Sequence, residues 1–304
     1  MMQEMLLGAY IRQNREAQGL TQKQLCEGIC GPVTISRIEN GQQTPSRSRL
    51  SALLQRLGLP DDRYFALLSP NEIEISSLQA EIVSCGVHGR RERGLELIAK
   101  LESIMEADDH ITRQFILRSR VLLGDYGFEE QLDILLEAIR LTVPRFTLEE
   151  LESFLYSFDE IKIINQIGNA YSKARQHKKA IDVYSRLLRY VQKHNSNITQ
   201  STGQLTLVAY NYARELGVCT MYQDAIEIAE LCRHACVNYG HYQLLPGALH
   251  IMAECYHFLG NDEKSKDLYL QAYGIYKAVG NERNLLLLKE DVRSQLGADV
   301  PWLK

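Results

Sequence analysis

The chain has 304 residues, 45% of them hydrophobic and 24% charged, which is the composition of an ordinary soluble globular protein with room for two domains. No apolar run approaches the roughly 20 residues that span a bilayer, and residues 1–10 lack a basic stretch followed by an apolar one, so we expect no signal peptide and a cytoplasmic location. The net charge of −4 is uneven, because residues 1–68 contain eight Lys/Arg and six Asp/Glu and the remainder carries −6. A basic head on an acidic body is typical of a head that meets nucleic-acid phosphates.

Helical periodicity runs along the whole chain and strand-like alternation is nearly absent, which predicts an all-α fold. Prolines interrupt the first seventy residues at positions 45, 60 and 70, and the later prolines are widely spaced. We therefore predict one domain over residues 1–68 and a longer helical domain over residues 69–304, joined at residues 69–71. The seven cysteines form no regular framework and no set of ligands at metal spacing, so we expect reduced thiols, no metal and no cofactor.

The first predicted helix with a clear start begins after Thr21. Thr21 is placed to cap it, and Gln24 stands at the capping-box position three residues later. Leu25 faces inward, and residues 28–31 form a glycine-containing turn. This pattern predicts a short helix followed at once by a second one.

The second helix is predicted to begin at Pro32, where a missing N–H costs nothing. Ile35 and Ile38, three residues apart, are expected to be buried, and Gly41 to end the helix. The side chains left facing outward are Val33, Ser36 and Arg37. A further helix follows, with its apolar stripe at Leu50, Leu53, Leu54 and Leu57.

The second domain repeats one skeleton, in which small residues stand where two helices touch and large ones where the pair packs on its neighbour. The small residue of the second helix is Ala180, Ala225 or Ser265 in the three clearest units, and weaker units surround Leu132 and Gly94. Turns are predicted at residues 124–127, 175–178 and 260–262, and a last amphipathic helix at about 282–296. The skeleton resembles the tetratricopeptide pattern, although its spacings of 45 and 40 residues exceed the usual period of about 34.

Residues 6–58 resemble the helix-turn-helix of phage-repressor-type regulators. The stretch 20–46, with Gly28-Ile29-Cys30 and Ser36-Arg37-Ile38-Glu39, is similar to the peptide-pheromone quorum-sensing regulators of Gram-positive bacteria, the RNPP family. Those proteins join such a head to tetratricopeptide repeats. The resemblance implies an N-terminal helix-turn-helix domain followed by a tetratricopeptide-like solenoid with a concave binding surface.

In this family the second helix of the motif enters the major groove. The resemblance places Pro32, Val33 and Arg37 at base-facing positions, with Arg37 suited to guanine and Val33 to a thymine methyl. Gln22 and Thr34 match phosphate-contacting positions, and Glu39 is expected to hold the fold instead. The candidate DNA-binding residues are Gln22, Pro32, Val33, Thr34, Ser36, Arg37, Arg47 and Arg49, the last two as phosphate contacts from the next helix.

Three asparagines are candidates for peptide binding. Asn165 and Asn169 lie one turn apart on the first helix of the clearest repeat, and Asn211 lies on the equivalent helix of the next. An amide offers both donors and acceptors, so it can bind the backbone of an extended peptide. The related regulators use asparagines on these helices in this way, whereas the tyrosines at repeat-signature positions, Tyr171, Tyr212 and Tyr256, are expected to pack in the core.

The sequence contains no phosphate-binding glycine loop, paired-histidine metal motif or nucleophile elbow, so we do not expect an enzyme. The favoured function is a homodimeric transcription regulator that binds an inverted-repeat DNA operator and is controlled by a short signalling peptide, with no membrane partner. One alternative is a phage or mobile-element repressor whose repeats bind a protein partner. Another is an adaptor that no longer uses its head, which the presence of Arg37 and Gln22 argues against.

Overall fold

The computed structural model describes residues 2–59, 70–194 and 202–297, which form helices joined mostly by short connections. The longest connection within the described residues is 141–157, which contains a 3₁₀ turn at Leu151–Ser153. Their contacts divide the chain into two compact units, residues 1–170 and 171–304. The predicted domain boundary between residues 68 and 69 lies outside the described residues, whereas Pro70 and Asn71 of the predicted joint begin a helix. Among the described helices, none combines the length and apolar character needed to cross a membrane.

The first unit contains the helix-turn-helix head and the helices that follow it. The head is formed by α1 to α4, and its core is made of side chains such as Ile11, Leu25, Ile35 and Leu53, each 0% exposed. The helices of this unit are α1 (Met2–Ala17), α2 (Gln22–Cys26), α3 (Pro32–Glu39), α4 (Arg47–Arg56), α5 (Pro70–Val87), α6 (Arg91–Ile104), α7 (His110–Leu123), α8 (Phe128–Arg140) and most of α9 (Phe158–Lys173).

Helices α5 to α8 form two hairpins, since α5 packs on α6 and α7 packs on α8 across short links. Leu101 and Cys85 are fully buried between them, and Gly94 lets α6 approach α7 because a Cβ there would stand 2.5 Å from Leu123 Cδ1. The predicted turn at residues 124–127 separates α7 from α8. The weaker repeats proposed from the sequence are therefore helix hairpins.

The second unit continues the same plan, each helix packing on the next in the chain. Ala180, Ala225 and Ser265, the small residues of the repeated skeleton, are all 0% exposed, which confirms that they stand where two helices touch. The predicted last helix has the bounds expected for it. The helices are α10 (His177–His194), α11 (Thr202–Val218), α12 (Tyr222–Tyr239), α13 (Leu245–Phe258), α14 (Asp262–Ala278) and α15 (Glu282–Leu296).

Candidate nucleic-acid interface and sensing helices

The start of the helix-turn-helix is fixed by its capping residues, as the sequence predicted. The backbone N–H of Gln24 donates to Thr21 Oγ1 at 3.2 Å, and the Thr21 N–H donates to Gln24 Oε1 at 2.8 Å. The turn contains Gly28 at φ +72°, and Gly31 then caps α3, whose first residue is Pro32. These local interactions set the angle at which α3 leaves α2.

A buried ion pair holds α3 against α1. Arg15 Nε donates to Glu39 Oε1 at 2.6 Å and its NH2 donates to Oε2 at 2.9 Å, while NH1 donates to the Leu20 carbonyl at 2.8 Å. The hydrogen bond with Glu39 raises the pKa of the Arg15 guanidinium above its ordinary value. Gln22 Nε2 donates to the same carboxylate at 2.8 Å. Glu39 therefore holds the fold, as expected, and also fixes the amide of Gln22, a predicted phosphate contact.

The opposite face of α3 is open to solvent. Val33 is 65% exposed, and Pro32 and Arg37 are also exposed. Thr34 and Ser36 are half-buried beside them. Among the described residues none forms a hydrogen bond or ion pair with the Arg37 guanidinium. One surface of α3 thus carries the positive N-terminal end of the helix, the apolar side chain of Val33 and the guanidinium of Arg37.

The structure places the two α4 arginines differently from Arg37. Arg47 donates its backbone N–H to Glu72 Oε1 at 2.9 Å and its NH1 to Ser76 Oγ at 3.1 Å, both on α5. Arg49 NH2 lies 3.7 Å from Asp108 Oδ2. Both arginines line a cavity of about 340 Å³ between α4, α5, α7 and the start of α9. They therefore join the head to the helices behind it, and their phosphate contacts remain a prediction.

A buried arginine that was not predicted as a functional residue, Arg56, links the head to the α8–α9 connection and to the first turn of α9. Arg56 donates to the carbonyls of Leu25, Glu27 and Thr142 at 3.1, 2.6 and 3.0 Å, and to Glu160 Oε1 at 3.0 Å. The side chains of the Arg56–Glu160 pair are 2% and 1% exposed. A charged residue inside the apolar stripe of α4 was the available signal, because Arg56 stands between Leu54 and Leu57.

The three candidate asparagines are buried or half-buried, whereas residues that bind a peptide on an open surface would be exposed. Asn165 is 3% exposed and Asn169 is half-buried, both on α9 in the first unit. Asn211, in the second unit, is 6% exposed, and its side-chain amide donates to the Leu207 carbonyl of its own helix at 3.0 Å. Their shared role in binding a peptide remains a prediction.

A second cavity, of about 250 Å³, lies on the first helices of the hairpins in the first unit, α5 and α7, together with α9. Its wall contains Val83, Val87 and Leu122, which are 45%, 61% and 52% exposed. Two cations line the same cavity, Arg118 and Lys162. This apolar surface with a cationic edge was not predicted, because it combines residues from three helices that are far apart in the sequence.

The two cations of this cavity share one carboxylate. Lys162 Nζ lies 3.0 Å and Arg118 NH2 lies 3.6 Å from Asp159 Oδ1. Burial raises the pKa of Asp159, but the two cations outweigh it and hold the pKa at about 2. Two cations facing one carboxylate leave an excess positive charge at the edge of the cavity.

These features define a protein with a helix-turn-helix head followed by helix hairpins. A family profile described as a helix-turn-helix domain matches residues 6–64. No curated protein matches the chain significantly.

Several solved structures share the fold of this chain. The crystal structure of Bacillus thuringiensis PlcR in complex with the peptide PapR7 and DNA matches with a TM-score of 0.62 and 20% identity, over 94% of this chain and 99% of that one. Apo PlcR from the same organism matches with a TM-score of 0.59 and 18% identity, over 93% of this chain and 98% of that one. ComR from S. thermophilus in complex with DNA and its signalling peptide ComS matches with a TM-score of 0.55 and 16% identity, over 95% of this chain and 99% of that one. The chain therefore has the all-α fold of PlcR and ComR.

Proposed function

We propose that this protein is a transcription regulator that binds operator DNA through α3 and is controlled by a short signalling peptide bound by its repeat helices. The observation on which the proposal depends is the exposed face of α3, where Arg37 and Val33 stand on a helix fixed from behind by the Arg15–Glu39 pair. Similarly folded PlcR and ComR have been solved with DNA and a peptide bound. Such a protein acts in the cytoplasm.

On this proposal α3 lies in the major groove. Arg37 makes a bidentate contact to guanine, and the apolar Val33 and Pro32 approach a thymine methyl. Ser36 and Thr34 lie at the edge of the same face, while Gln22, whose amide is fixed by Glu39, contacts a phosphate. Because one head makes few contacts, two heads of a homodimer bind the two halves of an inverted repeat.

The peptide is proposed to bind along the first helices of the hairpins. Asn165, Asn169 and Asn211 pair with its backbone polar groups. The exposed apolar side chains of Val83, Val87 and Leu122 support this assignment, because exposed apolar surface beside a cavity often marks a ligand-binding groove. The excess positive charge beside Asp159 favours a peptide with a carboxylate near its apolar side chains.

Replacing Arg37 tests the DNA-binding half of the proposal. A duplex selected from a randomised library serves as operator, and its affinity is measured by gel shift at fixed salt. Arg37→Ala is expected to lose about 1–3 kcal/mol of base discrimination, or roughly five- to a hundredfold in preference for the selected site. Arg93→Ala is the matched control, because it removes one exposed cation from α6. An unchanged sequence preference in a folded Arg37→Ala protein would contradict the assignment.

A further inference from the structure

A polar cluster in the second unit joins the start of α10 to the end of α11. Glu215 is at its centre, with a side chain only 1% exposed. Its Oε1 lies 2.7 Å from His177 Nδ1, and its Oε2 accepts a hydrogen bond from the Ser172 hydroxyl at 2.5 Å. One ligand atom each from His177, Glu215 and Cys219 lie within 4.8 Å of one another. Three different metal-binding side chains therefore converge on one point.

The cluster differs from a chance grouping of exposed polar residues, because its carboxylate is buried. Removing an ionised carboxylate from water is costly unless a positive charge compensates it. Among the described residues, the ion-pair partner of Glu215 is the imidazole of His177, and imidazole is itself a common metal ligand. Arg214, its neighbour in the chain, is exposed and lies over the Tyr210 ring, 5.9 Å from the ring centroid. A cation bound between His177 and Glu215 would compensate the buried carboxylate directly.

The geometry matches a site on two helix ends. Glu215 and Cys219 are four residues apart, at the end of α11 and just beyond it, so their side chains lie on the same side. His177 is the first residue of α10. Donor atoms around a tetrahedral zinc ion are separated by about 3.5 Å, so His177 Nδ1 and Glu215 Oε1, now 2.7 Å apart, must separate slightly and the other donor distances, all within 4.8 Å, need change little. Glu215 is buried, whereas His177 and Cys219 are half-exposed, which leaves a path for an ion to enter.

We propose that His177, Glu215 and Cys219 bind a divalent transition-metal ion, most favourably Zn²⁺, with water as the fourth ligand. A nitrogen, a carboxylate oxygen and a thiolate sulfur are the donor types of zinc sites, and the thiolate disfavours Mg²⁺ and Ca²⁺. On binding, the Cys219 thiol releases its proton to solvent and coordinates as thiolate. Ser172 orients the carboxylate by donating to its second oxygen. This site goes beyond the proposed function and does not depend on peptide or DNA binding.

A second cluster gives an internal comparison. One ligand atom each from His250, Glu254 and Asp291 also lie within 4.8 Å of one another, and His250 Nε2 lies 2.9 Å from Asp291 Oδ2. This set has no sulfur donor and all three residues are only half-buried. A metal bound there would show no thiolate signal, so the two clusters can be told apart by spectroscopy.

The test is a Co²⁺ titration of the chelator-treated full-length protein, followed by absorption. Tetrahedral Co²⁺ with a thiolate ligand is expected to give visible bands and a near-ultraviolet charge-transfer band at one equivalent, and Zn²⁺ should remove both. Cys219→Ser should abolish the charge-transfer band, and both Cys219→Ser and His177→Gln should weaken binding by about tenfold or more. Circular dichroism checks that each variant is folded.

Two control variants make the result specific. Cys30→Ser removes a cysteine of similar exposure from the head and should leave the spectrum unchanged, as should Asp291→Asn in the second cluster. The proposal is overturned if wild type gives no thiolate band. It is equally overturned if Cys219→Ser binds Co²⁺ with the wild-type spectrum and affinity, or if the band is lost in Cys30→Ser instead.

Discussion

Replacing Glu39 by alanine should destabilise the head more than any exposed charge change can. The mutation leaves the Arg15 guanidinium without its carboxylate, in a pair whose side chains are 9% and 1% exposed, and it removes the acceptor of Gln22. Breaking one partner of a buried ion pair costs about 3–5 kcal/mol. Since 1.4 kcal/mol is a factor of ten, this corresponds to about a hundredfold or more in the equilibrium for opening the head.

Hydrogen exchange measured by mass spectrometry on the full chain reports this opening directly for amides of α1 to α3. Arg12→Ala is the matched control, because the Arg12–Glu16 pair on α1 is 54% and 53% exposed and should contribute at most about 0.5 kcal/mol. The double variant Arg15→Met/Glu39→Leu should recover much of the lost protection, since no buried charge is then unpaired. If the amides of α1 to α3 exchange in Glu39→Ala at rates within twofold of those in Arg12→Ala, the Arg15–Glu39 pair does not stabilise the head as argued.

Gly28→Ala should destabilise the head strongly, because residue 28 has φ +72° and a Cβ there would stand 2.0 Å from the Thr142 carbonyl oxygen. Gly31→Ala is the control and should be mild, because a Cβ there has no atom within 4 Å. Thermal unfolding compares the two variants, and equal melting temperatures would refute the close approach at residue 28. Ser265→Ala should raise the melting temperature or leave it unchanged, because Ser265 Oγ is buried with no hydrogen-bond partner among the described residues; a clear loss would contradict this. Light scattering at micromolar concentration should give a dimer of about 69 kDa, twice the 34.7 kDa chain, and a monomer with and without operator DNA would count against it.

Local features of the fold were predictable from sequence because they depend on neighbours along the chain. The Thr21–Gln24 capping box, Pro32 at the first position of α3 and the bounds of α15 all follow from residues within a few positions of one another. The burial of Ala180 and Ser265 followed from the repeated skeleton. Short-range rules of this kind suffice for helices joined by short turns.

Long-range polar contacts could not be predicted in the same way. Arg56 and Glu160 are 104 residues apart, and His177 and Glu215 are 38 apart, so no spacing rule brings either pair together. The attachment of Arg47 to Ser76 was missed for the same reason. A sequence pattern indicates that a residue faces outward from its own helix, but not which other helix covers that face.

The central claim is that a peptide bound by the repeat helices changes how the head binds DNA. It is tested most directly by fluorescence anisotropy of a labelled operator, selected as above, with and without short synthetic peptides encoded by reading frames adjacent to the gene. We predict that one such peptide changes operator affinity, and that Asn169→Ala and Asn211→Ala weaken its effect by about 1–3 kcal/mol, while peptide-free DNA binding is unchanged. Gln271→Ala, an exposed amide on α14, is the control. Operator binding that no peptide alters, or a peptide effect of wild-type size in both asparagine variants, would contradict the account.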